Sequence, residues 1–403
     1  MSKILITSIG TGDIKKDSDS DYHETTYKID KKEYKNTLTS QVIVEHYDID
    51  KVYFIGTAGS MWDNLYFKYN GDDENYMDEL TKKKKEGTLT LDDLAKFEKS
   101  IDTYLKKEGS KCFLIDYKNQ DNDEVWKNFE KLLEIKSHIA KGDEVYLDIT
   151  HGFRYMPILN IFLLEFLTLL HKDSFQIKAI LYGMFAGNNS EIIDFKIFFD
   201  LLSWVKAIND FKLNSKTISL ANLLKSEDIE ASKTLLQFGN NLQLANMHSL
   251  WQFMKQANKK LQKLNNSNNK VIKFISSEIE EITNKFNKET QSLFQYELAK
   301  WLYESQNYAL SYIALYEAII TKVCEKKGYD LNNHKEREEA KKRVDHPYDK
   351  LFNTLIKGKE NQNSISQIRN SIVHQNMERK DLVMQDIERL AFFLKQFEDF
   401  FQK

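Results

Sequence analysis

The amino-acid sequence predicts an α/β domain followed by an all-helical region. Up to about residue 195, short apolar runs rich in β-branched residues alternate with helical stretches, which is the pattern of parallel βαβ units. Beyond that point the strand signals fade and nearly every segment shows helical periodicity. The chain has only 2 prolines in 403 residues, a scarcity that favours long helices.

The length of the chain predicts more than one domain. At 403 residues it exceeds one ordinary domain, and each part is long enough to bury a core of its own. Polar breaks divide the helical half further. We therefore expect three segments: a Rossmann-like doubly wound domain over 1–197, a helical connector over 198–287 and a C-terminal α-helical domain over 288–403.

Five apolar runs are predicted to be the strands of the first domain. Helical stretches such as 124–139 and 155–171 separate them, and the charged stretch 72–109 is interpreted as a helical insertion that decorates the sheet. In doubly wound sheets, ligands bind beyond the carboxyl ends of the strands, so the loops after the strands are the candidate sites. The predicted strands are Lys3 to Ile9, Lys51 to Gly56, Lys111 to Ile115, Glu144 to Ile149 and Gln176 to Tyr182.

The charge balance and the cysteines exclude several classes of protein. The formal net charge is -3 at pH 7, so the chain is not a strongly basic nucleic-acid coat and any RNA contact must be local. Cys112 and Cys324 lie far apart without zinc-ligand spacing, and two cysteines are too few for a disulfide framework. We therefore expect a cytoplasmic protein without a metal site.

No segment of the sequence predicts insertion into a membrane. The N-terminus enters a strand-like run without the apolar core and cleavage site of a signal peptide. The longest apolar run, from Met156 to Leu170, contains Asn160 and Glu165 and is shorter than a membrane span. We expect this run to form a buried helix.

Two of the predicted strands end in loops of small residues and hydroxyls. The first runs into Ser8, Gly10, Thr11 and Gly12, where the glycines let backbone N–H groups approach a ligand. The second runs into a segment whose tryptophan either stacks on a base or packs in the core. The first loop lacks the full dinucleotide fingerprint and no Walker lysine follows it, so NAD or ATP binding is not supported. The candidates in the second loop are Thr57, Ser60, Met61 and Trp62.

The most informative segment follows the fourth predicted strand. There Thr150, His151 and Arg154 cluster where a buried strand delivers polar groups to a cleft, and a guanidinium suits a phosphate. Gly152 permits a close turn. Taken alone, a histidine such as His151 is more often structural than ligand-binding, and Asp148 is equally explained as a helix cap or a partner of a neighbouring loop. The candidates are Asp148, Thr150, His151, Gly152, Phe153 and Arg154, joined after the next strand by Tyr182 and Gly183.

The ordered set TSIGTG, GTAGSMW, DITHGFRYMP and LYGMF resembles the CARF domain of CRISPR-associated proteins, in the branch with a D-x-T-H-G-F-R strand end. The resemblance implies a homodimer, or a higher homo-oligomer, whose CARF domains jointly bind a cyclic oligoadenylate made by a type III CRISPR complex. It favours cyclic tetra-adenylate over hexa-adenylate. Some CARF domains also cut this ligand, and the hydroxyls of Ser8, Thr11 and Ser60 with the cation of Arg154 would assist, although no general base is identifiable.

Near the end of the chain, Arg369, Asn370 and His374 lie in one predicted helix. At about 100° per residue, Asn370 and His374 fall on one face, and the long Arg369 side chain reaches the same region. Metal-free RNA cleavage needs a proton-transfer group and a cation that neutralises the developing phosphorane charge, roles that suit histidine and arginine. These three residues are the candidate catalytic residues, although such a spacing also arises by chance in many helices.

Together with the amphipathic helix from Tyr308 to Glu325, this motif resembles the R-x-x-x-x-H motif of HEPN domains. The resemblance implies two motifs that meet at a dimer interface and cleave single-stranded RNA to 2′,3′-cyclic phosphate ends. A CARF domain followed by a HEPN domain is the arrangement of ancillary type III CRISPR ribonucleases. It therefore implies an antiviral, metal-independent endoribonuclease that cyclic oligoadenylate activates and that uses no other cofactor.

Two other functions stay open at this point. A ligand-responsive transcription regulator would carry a helix-turn-helix within 198–287, where no basic recognition helix is obvious. A non-catalytic HEPN interaction protein is the other alternative, and an RNA degradation assay separates it from a nuclease. No basic channel is visible near Arg369 in the sequence, so we expect low affinity for RNA.

Overall fold

The computed structural model describes residues 1–10, 24–119, 121–152, 155–171, 175–186, 189–342, 364–374 and 383–402. Contacts divide the chain into two compact units, Met1–Asp200 and Leu201–Lys403. The first unit is a mixed α/β sheet structure and the second is helical, which confirms the predicted fold class. Along the described part of the chain, no helix combines the length and apolar character that a membrane crossing requires.

An eight-stranded sheet forms the centre of the first unit. Its strand order is β3-β2-β8-β7-β6-β1-β4-β5, with β1, β4, β5, β6 and β7 parallel to one another. Strand β1 lies between β6 and β4, so the strands that follow it along the chain are placed on both sides of it. The strands are β1 Lys3–Ser8, β2 Thr25–Ile29, β3 Lys32–Asn36, β4 Lys51–Thr57, β5 Lys111–Ile115, β6 Glu144–Asp148, β7 Gln176–Ala186 and β8 Asn189–Asp194.

Three strands were not expected from the sequence, and they make the sheet mixed rather than wholly parallel. The strands β2 and β3 form an antiparallel hairpin at one edge, and β8 returns antiparallel to β7. The hairpin turn consists of Asp30 and Lys31, both with positive φ (46° and 68°). Such two-residue turns usually carry glycine. Lysines along the hairpin keep this edge polar, which also hides it from a search for apolar runs.

Helices cover both faces of the sheet, as a doubly wound domain requires. Helices α1 to α4 pack over one face, and α5 and α6 pack over the other. The prediction of a buried helix for residues 156–170 is only half right, because Ile158, Phe162 and Leu169 of α6 are 60%, 63% and 68% exposed. The helices are α1 Thr39–Tyr47, α2 Trp62–Lys68, α3 Glu74–Glu86, α4 Ala95–Leu105, α5 Asn122–Leu132 and α6 Met156–His171.

The charged stretch 72–109 is part of the core rather than a decoration. It forms α3 and α4, and Leu94, Phe97 and Ile101 are fully buried. The Phe97 ring packs within 5.8 Å of Phe54 on the sheet and 6.2 Å of Trp62. Burial of one such phenylalanine contributes about 1.5–3 kcal/mol, so removing this segment would expose one face of the sheet.

The described residues of the second unit are mostly helical. A single hydrophobic core runs from Trp204 to Phe401 without a break near residue 287, and the boundary between connector and C-terminal domain stays a prediction. Phe211, Phe286 and Trp301 interlock at its centre. The helices are α7 Lys196–Asn214, α8 Ile218–Leu224, α9 Ile229–Gln243, α10 Met247–Leu261, α11 Lys270–Lys285, α12 Gln291–Glu304, α13 Tyr308–Lys327, α14 His334–Lys342, α15 Ile365–His374, α16 Val383–Gln396 and α17 Glu398–Gln402.

Candidate functional site

The carboxyl ends of β1, β4, β6 and β7 lie level with one another in the sheet. Thr7 of β1 is in register with Asp148 of β6, which in turn pairs with Leu181 of β7. On the other side, Ser8 pairs with Ile55 of β4. The loops chosen from the sequence therefore emerge along one edge of the sheet, where ligands of doubly wound domains bind.

Asp148 holds this edge together from inside. Its side chain is fully buried and accepts hydrogen bonds from Thr7 Oγ1 and from the backbone N–H of Thr150, both at 2.9 Å. A buried carboxylate with two donors is satisfied within the protein and does not reach a ligand. Asp148 is thus a support of the loop, the structural alternative left open by the sequence, and not a direct contact.

Thr150 joins the loop after β6 to the neighbouring strand. Its hydroxyl accepts a hydrogen bond of 2.8 Å from the backbone N–H of Gly183. A Cβ on Gly183 would approach Thr150 Cγ2 to 3.1 Å, so glycine permits the close approach of β7 to the loop. The ring of the preceding Tyr182 is 38% exposed, and it packs edge-on against Phe195 at 6.0 Å.

The ring of His151 is partly exposed beside the start of α1. Its Nε2 lies 3.3 Å from the hydroxyl of Thr39, which is itself fully buried. The pKa of the nearby Tyr27 hydroxyl, on the adjoining hairpin, is raised. Burial is the main cause, and the negative charge of Asp148 raises the pKa further. His151 is therefore anchored on one nitrogen while part of its ring faces solvent.

Gly152 passes very close to the end of β1. Its φ of 110° lies in the region that favours glycine, and a Cβ built on it would lie 2.9 Å from Ser8 Cβ. Ser8 is 3% exposed, and its hydroxyl accepts a hydrogen bond of 3.0 Å from Nδ2 of Asn160 on α6. Ser8 thus forms the floor beneath Gly152 and is not an open ligand contact.

The loop after β4 is closed on itself. The Ser60 hydroxyl is fully buried, accepts from the Thr57 N–H at 2.9 Å and lies 3.3 Å from the carbonyl of Ile9, to which it donates. The Met61 N–H donates to the carbonyl of Gly10, so this loop also braces the end of β1.

Of the two alternatives for Trp62, stacking on a base or packing in the core, the structure shows packing in the core. Its ring is 0% exposed, and its Nε1 donates to the Thr57 carbonyl at 2.7 Å. A Cβ on Gly56 would lie 2.6 Å from the ring, so the indole packs directly over that glycine. Thr57, Ser60 and Met61 are likewise buried, at 6%, 0% and 1% exposure. These four residues shape the loop from within.

What remains accessible at the edge is a small set that we call the strand-end surface. Its members are partly or well exposed and are connected through the contacts above: Gly10, Thr150, His151, Gly152 and Tyr182. Four other candidates from the sequence lie outside the described residues, and their roles stay predictions: Thr11, Gly12, Phe153 and Arg154.

The second candidate site lies on α15, which packs against α13. Buried Ile365 and Ile368 anchor the helix. The Arg369 guanidinium donates to the Asn370 side-chain oxygen at 3.0 Å, and its central carbon lies 5.3 Å from the ring centre of Tyr316. Among the described residues, no carboxylate lies within ion-pair distance of Arg369, and its buried Nε has no hydrogen-bond partner.

The backbone places His374 at the last residue of α15, little more than one helical turn after Arg369. The side chain of His374 lies outside the described part of the structure. The helix thus fixes the spacing of the two residues along its axis, while their side-chain geometry stays a prediction.

Comparisons with known proteins identify the first unit. Residues 4–186 match the family model of the CARF domain of the CRISPR system endoribonuclease Csx1. The first unit of this chain is therefore a CARF domain. Residues 200–295 match the model of the second domain of the CRISPR-associated protein MJ1674. Arg369 lies beyond the residues that these two models match.

A curated relative of this CARF protein resembles it along most of its length. The CRISPR-associated protein MJ1674 of Methanocaldococcus jannaschii is 29% identical over 410 residues, which cover 94% of this chain. The chain spans 63% of the length of that relative. The family origin that the strand-end motifs indicated is thus confirmed for the CARF domain.

Beside Arg369, the structure of the CARF protein brings together cations that the sequence did not reveal. Lys341 Nζ on α14 lies 5.9 Å from the centre of the same Tyr316 ring. Arg337, four residues earlier, pairs with Glu317 of α13 at 2.5 Å. The run HKEREEAKK resembles a solvated helix, and its single apolar residue, the fully buried Ala340, was the available signal that one face packs inward.

Proposed function

We propose that this CARF protein is a metal-independent endoribonuclease that cleaves single-stranded RNA when a cyclic oligoadenylate binds its CARF domain. The observation that carries the proposal is the Arg369 guanidinium, which no described carboxylate neutralises, on the same short helix as Asn370 and His374. A structural arginine is usually paired with a carboxylate when partly buried. A CARF domain on the same chain supports a regulated nuclease of type III CRISPR defence.

In the proposed reaction, the 2′-hydroxyl of the RNA attacks the adjacent phosphorus while the bond to the 5′-oxygen breaks. The hydroxyl proton leaves to a base, and the 5′-oxygen takes up a proton, so the products are a 2′,3′-cyclic phosphate and a 5′-hydroxyl. His374 serves the proton transfers because an imidazole titrates near pH 6.5. Arg369 stays charged and neutralises the phosphorane, and Asn370 holds its guanidinium from one side.

The proposed ligand site is the strand-end surface together with Thr11, Gly12, Phe153 and Arg154. Partly exposed backbone at Gly10 and Gly152 and the cation of Arg154 suit phosphates, and the exposed ring of Tyr182 suits a base. The buried residues Asp148, Ser60 and Trp62 hold these loops in shape. Because a cyclic oligoadenylate repeats one nucleotide unit, two copies of this surface related by a two-fold axis would each take half of it.

A homodimer is therefore part of the proposal, as the likeness to CARF and HEPN proteins implies. The exposed apolar side chains Ile158, Phe162 and Leu169 along α6 support a partner surface on the CARF domain. If the C-terminal helices form a HEPN domain, Arg369 and His374 of two copies together form one composite site. Cyclic tetra-adenylate is the proposed activator, with hexa-adenylate second.

One experiment tests the proposal as a whole. Purified protein is incubated with end-labelled single-stranded RNA, with cyclic tetra-adenylate, cyclic hexa-adenylate, ATP or no nucleotide. We expect cleavage that depends on a cyclic oligoadenylate, persists in EDTA and leaves a 2′,3′-cyclic phosphate. RNA that stays intact under every condition would indicate a non-catalytic protein instead.

A further inference from the structure

Cationic side chains from two different helices lie close to the ring of Tyr316. Arg369 of α15 lies 5.3 Å from its centre, and Lys341 of α14 lies 5.9 Å from it. Tyr316 belongs to α13 and is 8% exposed, so its ring is a fixed part of the core surface. Cations within about 6 Å of an aromatic ring centre are attracted to it. The ring therefore holds Lys341 in the neighbourhood of the proposed catalytic arginine.

Helix α14 is itself fixed against α13, so the position of Lys341 is not that of a freely solvated lysine. Arg337 pairs with Glu317 at 2.5 Å and donates to the buried Thr321 hydroxyl at 3.3 Å. Lys341 follows four residues later, on the same face of the helix. Ala340 is fully buried beside it.

Lys341 also keeps a charge that RNA can reach. Its side chain is 34% exposed, and its partner is Glu338 of the same helix at 2.6 Å. The hydrogen bond from Lys341 is the main cause that lowers the pKa of the Glu338 carboxyl, which therefore stays ionised. Partly exposed pairs of this kind are weak, so a phosphate can replace Glu338 as the partner of Lys341.

We propose that Lys341 binds the RNA backbone next to the scissile phosphate, as a second cation of the Arg369 site. This inference rests on the proposed ribonuclease function and names the part of the substrate that α14 recognises. The contact is to a phosphate and not to a base, so it strengthens binding of any single-stranded RNA without selecting its sequence. Lys341 also supplies a positive charge near Arg369 that was not apparent from the sequence, because the two residues are brought together only by the fold.

Lys341→Gln tests the inference against Lys335→Gln, a matched loss of charge on the same helix. Lys335 is exposed and lies six residues earlier, on a different side of α14. With the activator saturating, we expect Lys341→Gln to raise KM about three- to tenfold with little change in kcat. The slope of log KM against log salt should fall by about 0.7, the share of one phosphate contact on a single strand. Lys341→Arg should restore KM, and Lys335→Gln should leave it unchanged.

Glu338→Gln supplies an opposite test, because it removes the carboxylate that competes with RNA for Lys341. We expect KM to fall about two- to threefold, and to show no such fall when Lys341→Gln is present as well. Equal KM values and equal salt slopes for Lys341→Gln and Lys335→Gln would overturn the inference.

Direct binding separates this inference from the proposed function. Anisotropy of a fluorescent single-stranded RNA reports its Kd for the full chain, whether or not the RNA is cut. If the wild type cleaves nothing but binds RNA more tightly than Lys341→Gln, the ribonuclease proposal fails and the RNA contact stands. If the wild type binds no RNA, the role of Lys341 is refuted. Melting temperatures of all variants show that each is folded.

Discussion

Gly152 lies so close to Ser8 that any side chain at position 152 would collide with it. The Cβ of an alanine would come within 2.9 Å of Ser8 Cβ, and the φ of 110° is strained for residues other than glycine. Since Ser8 ends the central strand β1, it has little room to retreat. The loop after β6 can thus adopt its observed shape only because residue 152 has no Cβ.

Gly152→Ala should therefore destabilise the CARF domain and weaken its response to the activator. The control is Gly142→Ala, where φ is 90° but nothing lies within 4 Å of the added Cβ. We expect Gly142→Ala to cost about 1–2 kcal/mol of unfolding free energy from backbone strain alone. Gly152→Ala should cost about 1–3 kcal/mol more because of the collision. Urea unfolding measures both, and equal losses would show that the close approach is not as described.

Arg369→Ala and His374→Ala should each abolish RNA cleavage while ligand binding and dimerisation stay intact. Both residues act on the scissile phosphate in the proposed reaction and neither is expected to anchor the core. Ser371→Ala is a control on the same helix, because its hydroxyl donates to the Gln367 carbonyl at 2.8 Å and makes no other hydrogen bond to the described residues. Cleavage by the wild type should persist in EDTA. Near-normal activity of either mutant, or loss of activity on chelation, would refute the Arg/His mechanism.

The Tyr316 ring should be a positioning element for Arg369. Tyr316→Phe keeps a ring beneath the guanidinium and should retain most of kcat, whereas Tyr316→Leu removes the cation–π contact. A contact of about 1 kcal/mol corresponds to about a fivefold loss of kcat in Tyr316→Leu. Assays well below the melting temperature of each variant separate this effect from loss of fold. Equal kcat for the two variants would assign the ring to packing only.

The sequence was sufficient to predict the parts of the fold that follow from strong local patterns. The five predicted strands, which are parallel to one another, are largely apolar runs, and all five are present. The hairpin β2–β3 was missed because its turn, Asp30 and Lys31, lacks the glycine that usually marks such turns, and because its two short strands contain lysines and no continuous apolar run. Pairing with the distant β8 decides that this segment is a strand, and no local pattern carries that information.

The candidate site was predicted by position more reliably than by role. The loops after the strands do meet at one edge, but which side chains face outward depends on packing. Trp62 turns inward over Gly56, and Asp148 is satisfied by Thr7 and the loop backbone. Lys341 was missed because only the tertiary fold brings α14 beside the Tyr316 ring, which Arg369 also contacts.

The last prediction concerns control of cleavage through the CARF domain. The strand-end surface belongs to the first unit and Arg369 to the second, and we propose that the ligand controls cleavage through the packing of the subunits. A ligand shifts such an equilibrium only through its different affinity for the two arrangements. A mutation that weakens ligand binding should then raise the ligand concentration needed for half-maximal cleavage, without changing kcat at saturation.

Arg154→Ala tests this, because Arg154 is the proposed phosphate contact of the CARF domain. We expect about a tenfold or greater rise in the concentration of cyclic tetra-adenylate that gives half-maximal cleavage, as loss of a charge-assisted contact implies, with kcat at saturation unchanged. Lys141→Ala is the matched control, since Lys141 is an exposed cation just before β6, at the opposite end of that strand. Dose–response curves for RNA cleavage measure both. If Arg154→Ala responds at the wild-type concentration, or if the wild type cleaves equally fast without a cyclic nucleotide, then the strand-end surface does not control the nuclease.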